Sequence, residues 1–267
     1  MRSNEENKLS VKALYAIVDG LAPFALSKEY CERFGHRDNS GVQLDCGKEV
    51  TGVLFSLDLS AAAVAEAKNR GANCIVTHHP AIFFPLYSLK EEGSGAEILA
   101  CAKAGISVIS AHLNLDAAEG GIDEELMHGL GGKEAIATKD HLTGGGYGRV
   151  YDLKKKSLAA FTNEVRKTFK TDRILAYGNG AVSRVASFCG AGLDEGALAF
   201  AQAHGADTIV SSDAKHHLIA AAVERGMNVI LLTHYAAENY GFTRFAEKTE
   251  KLLNGTPCAV FTDERLL

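Results

Sequence analysis

Side chains able to hold a metal ion fall in three short blocks of this chain, each just after a run of apolar, largely β-branched residues. His78 and His79 stand in IVTHHP (75–80), His112 and Asp116 in VISAHLNLD (108–116), and His234 and Glu238 in VILLTHYAAE (229–238). Runs such as CIV, ISVI and NVILL read as buried parallel strands, and the carboxyl ends of such strands form the floor of the ligand crevice in open α/β sheets. The donors are nitrogen and oxygen without sulfur, a set that suits Zn, Mn, Fe or Ni at a catalytic centre better than a structural zinc. Successive side chains on a strand point to opposite faces, so His78 and His79 are not expected to grip one ion from the same side, and two ions are the more natural reading. Asp116 and Glu238 would then bridge or flank metals about 3.5 to 4 Å apart, as in two-metal hydrolases. Any one histidine taken alone reads as a hydrogen-bonded core residue; recurrence at equivalent strand ends is what argues for a site.

At 267 residues, 46% of them hydrophobic, the chain is long enough for two ordinary domains with a real core, and its net charge of −5 gives no global attraction to nucleic acid or anionic membrane. The opening MRSNEENKLS carries no apolar export segment, and no run approaches the roughly 18 apolar residues of a membrane span, so a cytoplasmic protein is expected. Cys31, Cys46, Cys74, Cys101, Cys189 and Cys258 form no CxxC pair, which favours buried, reduced thiols without chemistry.

The chain also resembles itself. AAAVAEAKNRGANCIVTHH (61–79) matches EGALAFAQAHGADTIVSSD (195–213), and ILACAKAGISVISAH (98–112) matches LIAAAVERGMNVILLTH (218–234). Gly71 to Gly205 is a lag of 134 and Gly105 to Gly226 a lag of 121, so the first copy carries thirteen extra residues, placed around FFPLYSLKEEGSG (83–95). Strand alternating with alanine-rich helix implies right-handed βαβ units and an α/β fold of two similar α/β/α modules, with a metal pair expected where they face each other. The domain reading is 1–130 for the first module, 131–180 for a connecting segment with a helix near 157–170 and a strand near 173–177, and 181–267 for the second module. Glycines at 120–121, 131–132 and 144–146 read equally as flexible loop or phosphate cradle, and Asp38-Asn39-Ser40-Gly41 reads first as a turn.

DNSGVQL (38–44), VTHHPAIFFPL (76–86), AHLNLDAAEGGID (111–123), GYGRV (146–150), SSDAKHH (211–217) and THYAAE (233–238) together resemble the Nif-three-like family, many of whose members carry the name GTP cyclohydrolase 1 type 2 homologue. The resemblance covers nearly the whole chain in the family's order. It implies two intertwined, similar three-layer α/β/α domains around a dinuclear centre and assembly into a toroidal homohexamer. It also implies His78, His79, Asp116, His234 and Glu238 as ligands of two divalent metal ions, with His112 as a support behind them or an occasional ligand. Three positions depart from the family's pattern: Thr233 replaces a glycine, Ala237 a serine or threonine, and His216 an aromatic residue.

The activity so implied is that of a metal-dependent hydrolase with a small-molecule substrate, GTP, in which activated water opens the guanine imidazole ring and releases formate. His217, at the family's Asp-x-x-x-His position, is the candidate general acid/base, with Asp213 to orient it. Two other readings share the same residues: hydrolysis of a phosphoester or amide, and a non-enzymatic, ring-shaped scaffold or regulator.

Overall fold

The computed structural model describes residues 9–267; the polar stretch 1–8, part of the segment read above as lacking an export signal, lies outside the described residues. The chain begins with α1 (Val11–Leu21), α2 (Phe24–Phe34), β1 (Gly41–Leu44), β2 (Val53–Ser56), α3 (Ala61–Arg70), β3 (Cys74–Thr77), α4 (Ala96–Ala104) and β4 (Ser107–Ser110). Next come α5 (Leu113–Ala117), α6 (Ile122–Gly129), β5 (Ala137–Leu142), β6 (Gly145–Ser157), α7 (Leu158–Phe169) and β7 (Leu175–Tyr177). It closes with β8 (Ala181–Ser187), α8 (Glu195–Ala203), β9 (Thr208–Ser211), α9 (His216–Glu224), β10 (Asn228–Leu231), α10 (His234–Glu250) and β11 (Cys258–Phe261). Two compact α/β units result: the described residues up to Leu115 with Thr243–Thr262, and Asp116–Phe242 with Asp263–Leu267. No described helix is long and apolar enough to cross a membrane.

The first unit is built on a five-stranded sheet of order β1-β4-β3-β2-β11, parallel except for β1. Every residue of β2, β3 and β4 is buried, as expected of parallel strands covered on both faces. Leu54, Ile75 and Val108 pack with Val64 and Ala67 of α3 and Ile98 and Cys101 of α4. The neighbouring position, Phe55, meets Phe245 of α10 edge to face at 6.2 Å. Helix α3 starts where Ser60 Oγ accepts from the Ala63 amide and stops at Gly71, whose φ of 69° suits a residue without Cβ.

A six-stranded sheet, β5-β6-β8-β9-β10-β7, organises the second unit, with β8, β9 and β10 parallel. Leu198 and Ala201 of α8 and Leu218 and Ala222 of α9 pack with Ala186, Ile209 and Val229 on one face. Helices α6 and α7 contact β6 and β8. The duplication is therefore structural. Each unit holds strand, helix, strand, helix, strand (β2 to β4, β8 to β10), with an antiparallel strand, β1 or β7, beside the third.

Outside that repeat the boundaries differ from those read off the sequence. Residues 131–180 are not a connector: β5 and β6 form a long antiparallel hairpin that extends the second sheet through β8. Gly144, at φ 91° with open space around it, makes the hairpin turn, while Gly145 and Gly148 are there for close approach. A Cβ on Gly145 would collide with the Ala117 carbonyl, which bridges into this hairpin through Ala118, and one on Gly148 would stand 2.8 Å from the Phe188 ring. Residues 243–262 likewise belong to the first unit, because β11 pairs in parallel with β2 from Cys258↔Val53 to Phe261↔Ser56. Three of the six cysteines, Cys74, Cys101 and Cys189, are buried; Cys31, Cys46 and Cys258 are only half-buried, and all are free.

Ile209, fully buried in the centre of β9, tests the second core. Ile209→Ala is expected to destabilise by about 2 to 5 kcal/mol in urea denaturation. Leu175→Ala, on the edge strand and 57% exposed, should change stability by no more than about 0.5 kcal/mol.

Candidate metal centre

Ser56, Thr77 and Ser110, the last residues of β2, β3 and β4, lie in register. Thr77 and Ser110 share a hydroxyl hydrogen bond of 2.7 Å, and Thr77 also donates to the His79 carbonyl at 2.8 Å. Just beyond this row the strand geometry ends: the amides of His78 and His79 both donate to the Leu57 carbonyl, at 3.1 and 3.0 Å. The chain turns there, so the alternation expected of two successive strand residues does not separate the pair. Their ring centroids are 4.9 Å apart, His112 stands 5.1 Å from His78 and 5.7 Å from His79, and one ligand atom from each of the three lies within 4.8 Å of the others.

Each ring is fixed by an oxygen. His78 Nδ1 donates to the Ala111 carbonyl at 2.8 Å, His79 Nδ1 to Asp58 Oδ1 at 2.7 Å, and His112 Nδ1 to Asp38 Oδ1 at 2.9 Å. In the neutral imidazole this places the lone pair on Nε2, the arrangement that metal-ligating histidines use. His112 therefore stands within this three-histidine cluster. Asp38, read as part of a turn, also accepts from Ser27 Oγ at 2.5 Å and Ser40 Oγ at 2.6 Å, while Ser40 Oγ accepts from the His112 amide at 2.9 Å. Burial pushes its carboxyl up, but the hydrogen bonds from His112, Ser27 and Ser40 outweigh burial and hold it well below the usual carboxylate range.

The second unit collects its own donors beyond β8, β9 and β10. Thr233 Oγ1 accepts from the Ala236 amide at 3.0 Å and so caps α10, which accounts for a threonine where the family has glycine. His234 and Glu238 are one turn apart on that helix, with Nε2 2.9 Å from Glu238 Oε1, while His234 Nδ1 donates to Asp213 Oδ2 at 2.7 Å. With Nδ1 committed as donor, a proton or a cation must stand between Nε2 and Glu238, because a lone pair there would face a carboxylate. Asp213 therefore orients His234; no hydrogen bond joins it to His217 among the described residues. His217 is exposed and lines an open cleft of about 660 Å³ with Asp213, Lys215, Asp194 and Glu195.

Gly190, φ 56°, closes in on the same helix turn: a Cβ there would lie 2.5 Å from Glu238 Oε1 and 3.3 Å from His234 Nε2. Its loop is held by Tyr147, whose hydroxyl donates to the Cys189 carbonyl at 2.5 Å, and by the buried Asp123, which accepts from the amides of Cys189 at 3.3 Å and Gly148 at 3.0 Å. Burial raises the Asp123 carboxyl to about 6 against the opposing pull of Arg149 and those amides. Cys189 Sγ lies 3.4 Å from Asp116 Oδ1, and burial, then the charges of Asp116, Asp123 and Glu238, push its thiol well above the usual range. Asp116 and Glu238 are buried carboxylates, a placement that positive charge beside them would ease, and a divalent cation would supply that charge. The donor chemistry of both units fits a metal.

Asp58 and Gly190 escaped the sequence reading. Asp58 carried a usable signal, a carboxylate two residues beyond the apolar strand β2; Gly190 carried none, and Asp38, read as a turn residue, gave no sign of His112 as its partner, since the two are remote in sequence.

Residues 9–264 match the family model Duf34/NIF3 (NGG1p interacting factor 3). A Clostridium perfringens protein named GTP cyclohydrolase 1 type 2 homolog is 29% identical over 245 residues, which cover 89% of this chain and 90% of the relative. One of the same name from Nostoc sp. is 32% identical over 220 residues, covering 79% and 83%. In fold, a Staphylococcus aureus protein of known crystal structure superposes with a TM-score of 0.84 at 23% identity, over 96% of this chain and 97% of that one.

The depressed Asp38 carboxyl has a pH signature. A group whose folded pKa lies below its unfolded value stabilises the native state above the unfolded pKa and loses that contribution as pH falls toward the folded one. Wild type should therefore weaken below about pH 4. Asp38→Asn should be about 1.5 to 3 kcal/mol less stable at pH 7 and converge on wild type on acidification. Urea titrations at pH 7, 5 and 3.5 measure this, and parallel curves would remove the charge of Asp38 from the account.

Proposed function

Because this chain belongs to the Duf34/NIF3 family, we propose that it is a metal-dependent hydrolase holding two divalent cations through His78, His79, Asp116, His234 and Glu238. The observation that carries the reading is the state of the donors. Three imidazoles beyond β3 and β4 have Nδ1 tied to oxygen, and His234 is held between two carboxylates. That is preparation for a positive ion, which neutral hydrogen bonding at a core position does not require. Zn, Mn, Fe and Ni all suit such ligands.

A bound pair of divalent cations supplies water ionised near neutral pH and charge to offset a developing oxyanion. This chain's residues do the rest. Asp58, the Ala111 carbonyl and Asp213 fix the tautomers of His79, His78 and His234; Gly190 leaves room for the Glu238 carboxylate; His217, exposed in its cleft, moves a proton to or from the substrate. The name shared by the relatives supports GTP as substrate, with opening of the imidazole ring and release of formate. Assembly into a toroidal homohexamer and a cytoplasmic setting belong to the same proposal.

Anaerobic purification with metal quantification, then a nucleotide panel scored for formate and phosphate, tests binding and chemistry together. About two ions per chain and formate from GTP are expected. Phosphate without formate moves the reading to a phosphoester, and no tight metal under any reconstitution condition ends it. Glu238→Gln should lower metal content with an unchanged circular dichroism spectrum, since it deletes a ligand charge and opens no cavity. His217→Asn should keep its metals yet lose about 10² to 10⁴ in turnover; undiminished formate release from that variant would exclude the histidine as proton carrier.

A further inference from the structure

The thirteen-residue insertion that distinguishes the first copy begins with two phenylalanines, and both are left in water. Phe83 is 37% exposed and Phe84 62%. Their rings stand edge to face, 4.9 Å apart at 81°, and Phe83 lies 6.2 Å from the His112 ring at 88°. The Arg37 guanidinium carbon lies over the Phe84 ring, 5.6 Å from its centroid, and Arg37 makes no ion pair among the described residues. The segment is pinned immediately before the rings. Asn39 Nδ2 donates to the Ile82 carbonyl at 2.5 Å, and the Ile82 amide donates to Gln43 Oε1 at 3.2 Å.

Large rings held in place but uncovered mark a contact site, and here Phe83 abuts His112 of the histidine cluster that could hold a metal. Their chemistry selects the occupant. With 62% of Phe84 exposed, its ring has surface free for a flat partner beside Arg37; base-on-aryl stacking tolerates any purine because each has a π face. A guanidinium held near a ring by cation–π attraction and not by an ion pair keeps its N–H donors for another partner, and their fork matches phosphate oxygens in geometry. A purine nucleotide carries both complements in one molecule. It is also anionic, as the partner of an uncompensated arginine should be.

We propose that Phe83, Phe84 and Arg37 form the nucleotide-selecting platform of this centre, the aryl rings stacking the base beside His112 and the guanidinium holding a phosphate. The inference rests on the hydrolase reading and names the residues that would choose its substrate. Asp38-Asn39-Ser40 gains a second role in it, since the turn that orients His112 through Asp38 also anchors the platform through Asn39.

The test is isothermal titration of metal-loaded wild type, Phe84→Ala, Phe84→Trp and Arg37→Ala with GTP, guanosine and inorganic tripolyphosphate, with metal content and light-scattering mass measured on each. Phe84→Ala is expected to weaken GTP and guanosine roughly ten- to hundredfold without changing tripolyphosphate binding or metal content, and Phe84→Trp to restore the affinity. Arg37→Ala should weaken GTP and tripolyphosphate and spare guanosine. The proposal is overturned if Phe84→Ala binds guanosine and GTP as wild type does, or if wild type binds no nucleotide. It is equally overturned if Phe84→Ala changes the assembled mass while nucleotide affinity holds, which would make the rings an interface between copies. Absence of metal from wild type would overturn the hydrolase reading instead, and the same titrations on metal-free protein would still decide the platform.

Discussion

A parallel sheet covered on both faces has one place for polar chemistry, the ends of its strands. In β2, β3 and β4, and again in β9 and β10, every residue is buried. A charged side chain there would need a partner to offset its desolvation, so carboxylates and imidazoles are pushed to the first residues beyond the strands. Parallel register then aligns those positions. Ser56, Thr77 and Ser110 end together, and Asp58, His79 and His112 follow each by two residues. One burial constraint thus gathers side chains far apart in sequence without any of them having to pack specifically against another.

Gathering donors is not enough to make them ligands, because a histidine presents its lone pair only if its proton is fixed elsewhere. The chain does this with two kinds of oxygen: a backbone carbonyl for His78, and the carboxylates of Asp58, Asp38 and Asp213 for His79, His112 and His234. The carbonyl comes from the adjacent strand end and Asp58 from the one on the other side, so the sheet that positions the imidazoles also sets their tautomers. Asp38 arrives from a turn outside the repeat and is itself held by two serine hydroxyls. The hydrogen bonds that hold the rings for a metal are therefore the same ones that contribute to local stability.

Glycine does a different task from the one its frequency suggests. Gly145, Gly148 and Gly190 are not flexible hinges; each stands where a Cβ would strike a backbone carbonyl, an aromatic ring or the Glu238 carboxylate. The first two let the β5–β6 hairpin lie close to its neighbours, and Tyr147 between them ties that hairpin to the Cys189-Gly190 loop. Backbone proximity in the second unit thus sets how closely Glu238 and His234 can be approached.

The α/β class, the repeated strand-helix units and the histidine and carboxylate blocks were legible in the residues themselves. Each rests on local properties, apolar periodicity, glycine stops and donor type, which the chain carries wherever it folds. The insertion at 83–95 was legible too, as a difference between two lags. What the sequence could not carry was pairing. That β11 returns to β2, that 137–157 is a hairpin and no linker, and that Asp213 serves His234 all depend on which segments meet across long stretches of chain. The side-by-side placement of His78 and His79 was hidden for a related reason. Alternation holds only while the strand lasts, and where it stops is decided by both amides turning to one carbonyl, that of Leu57.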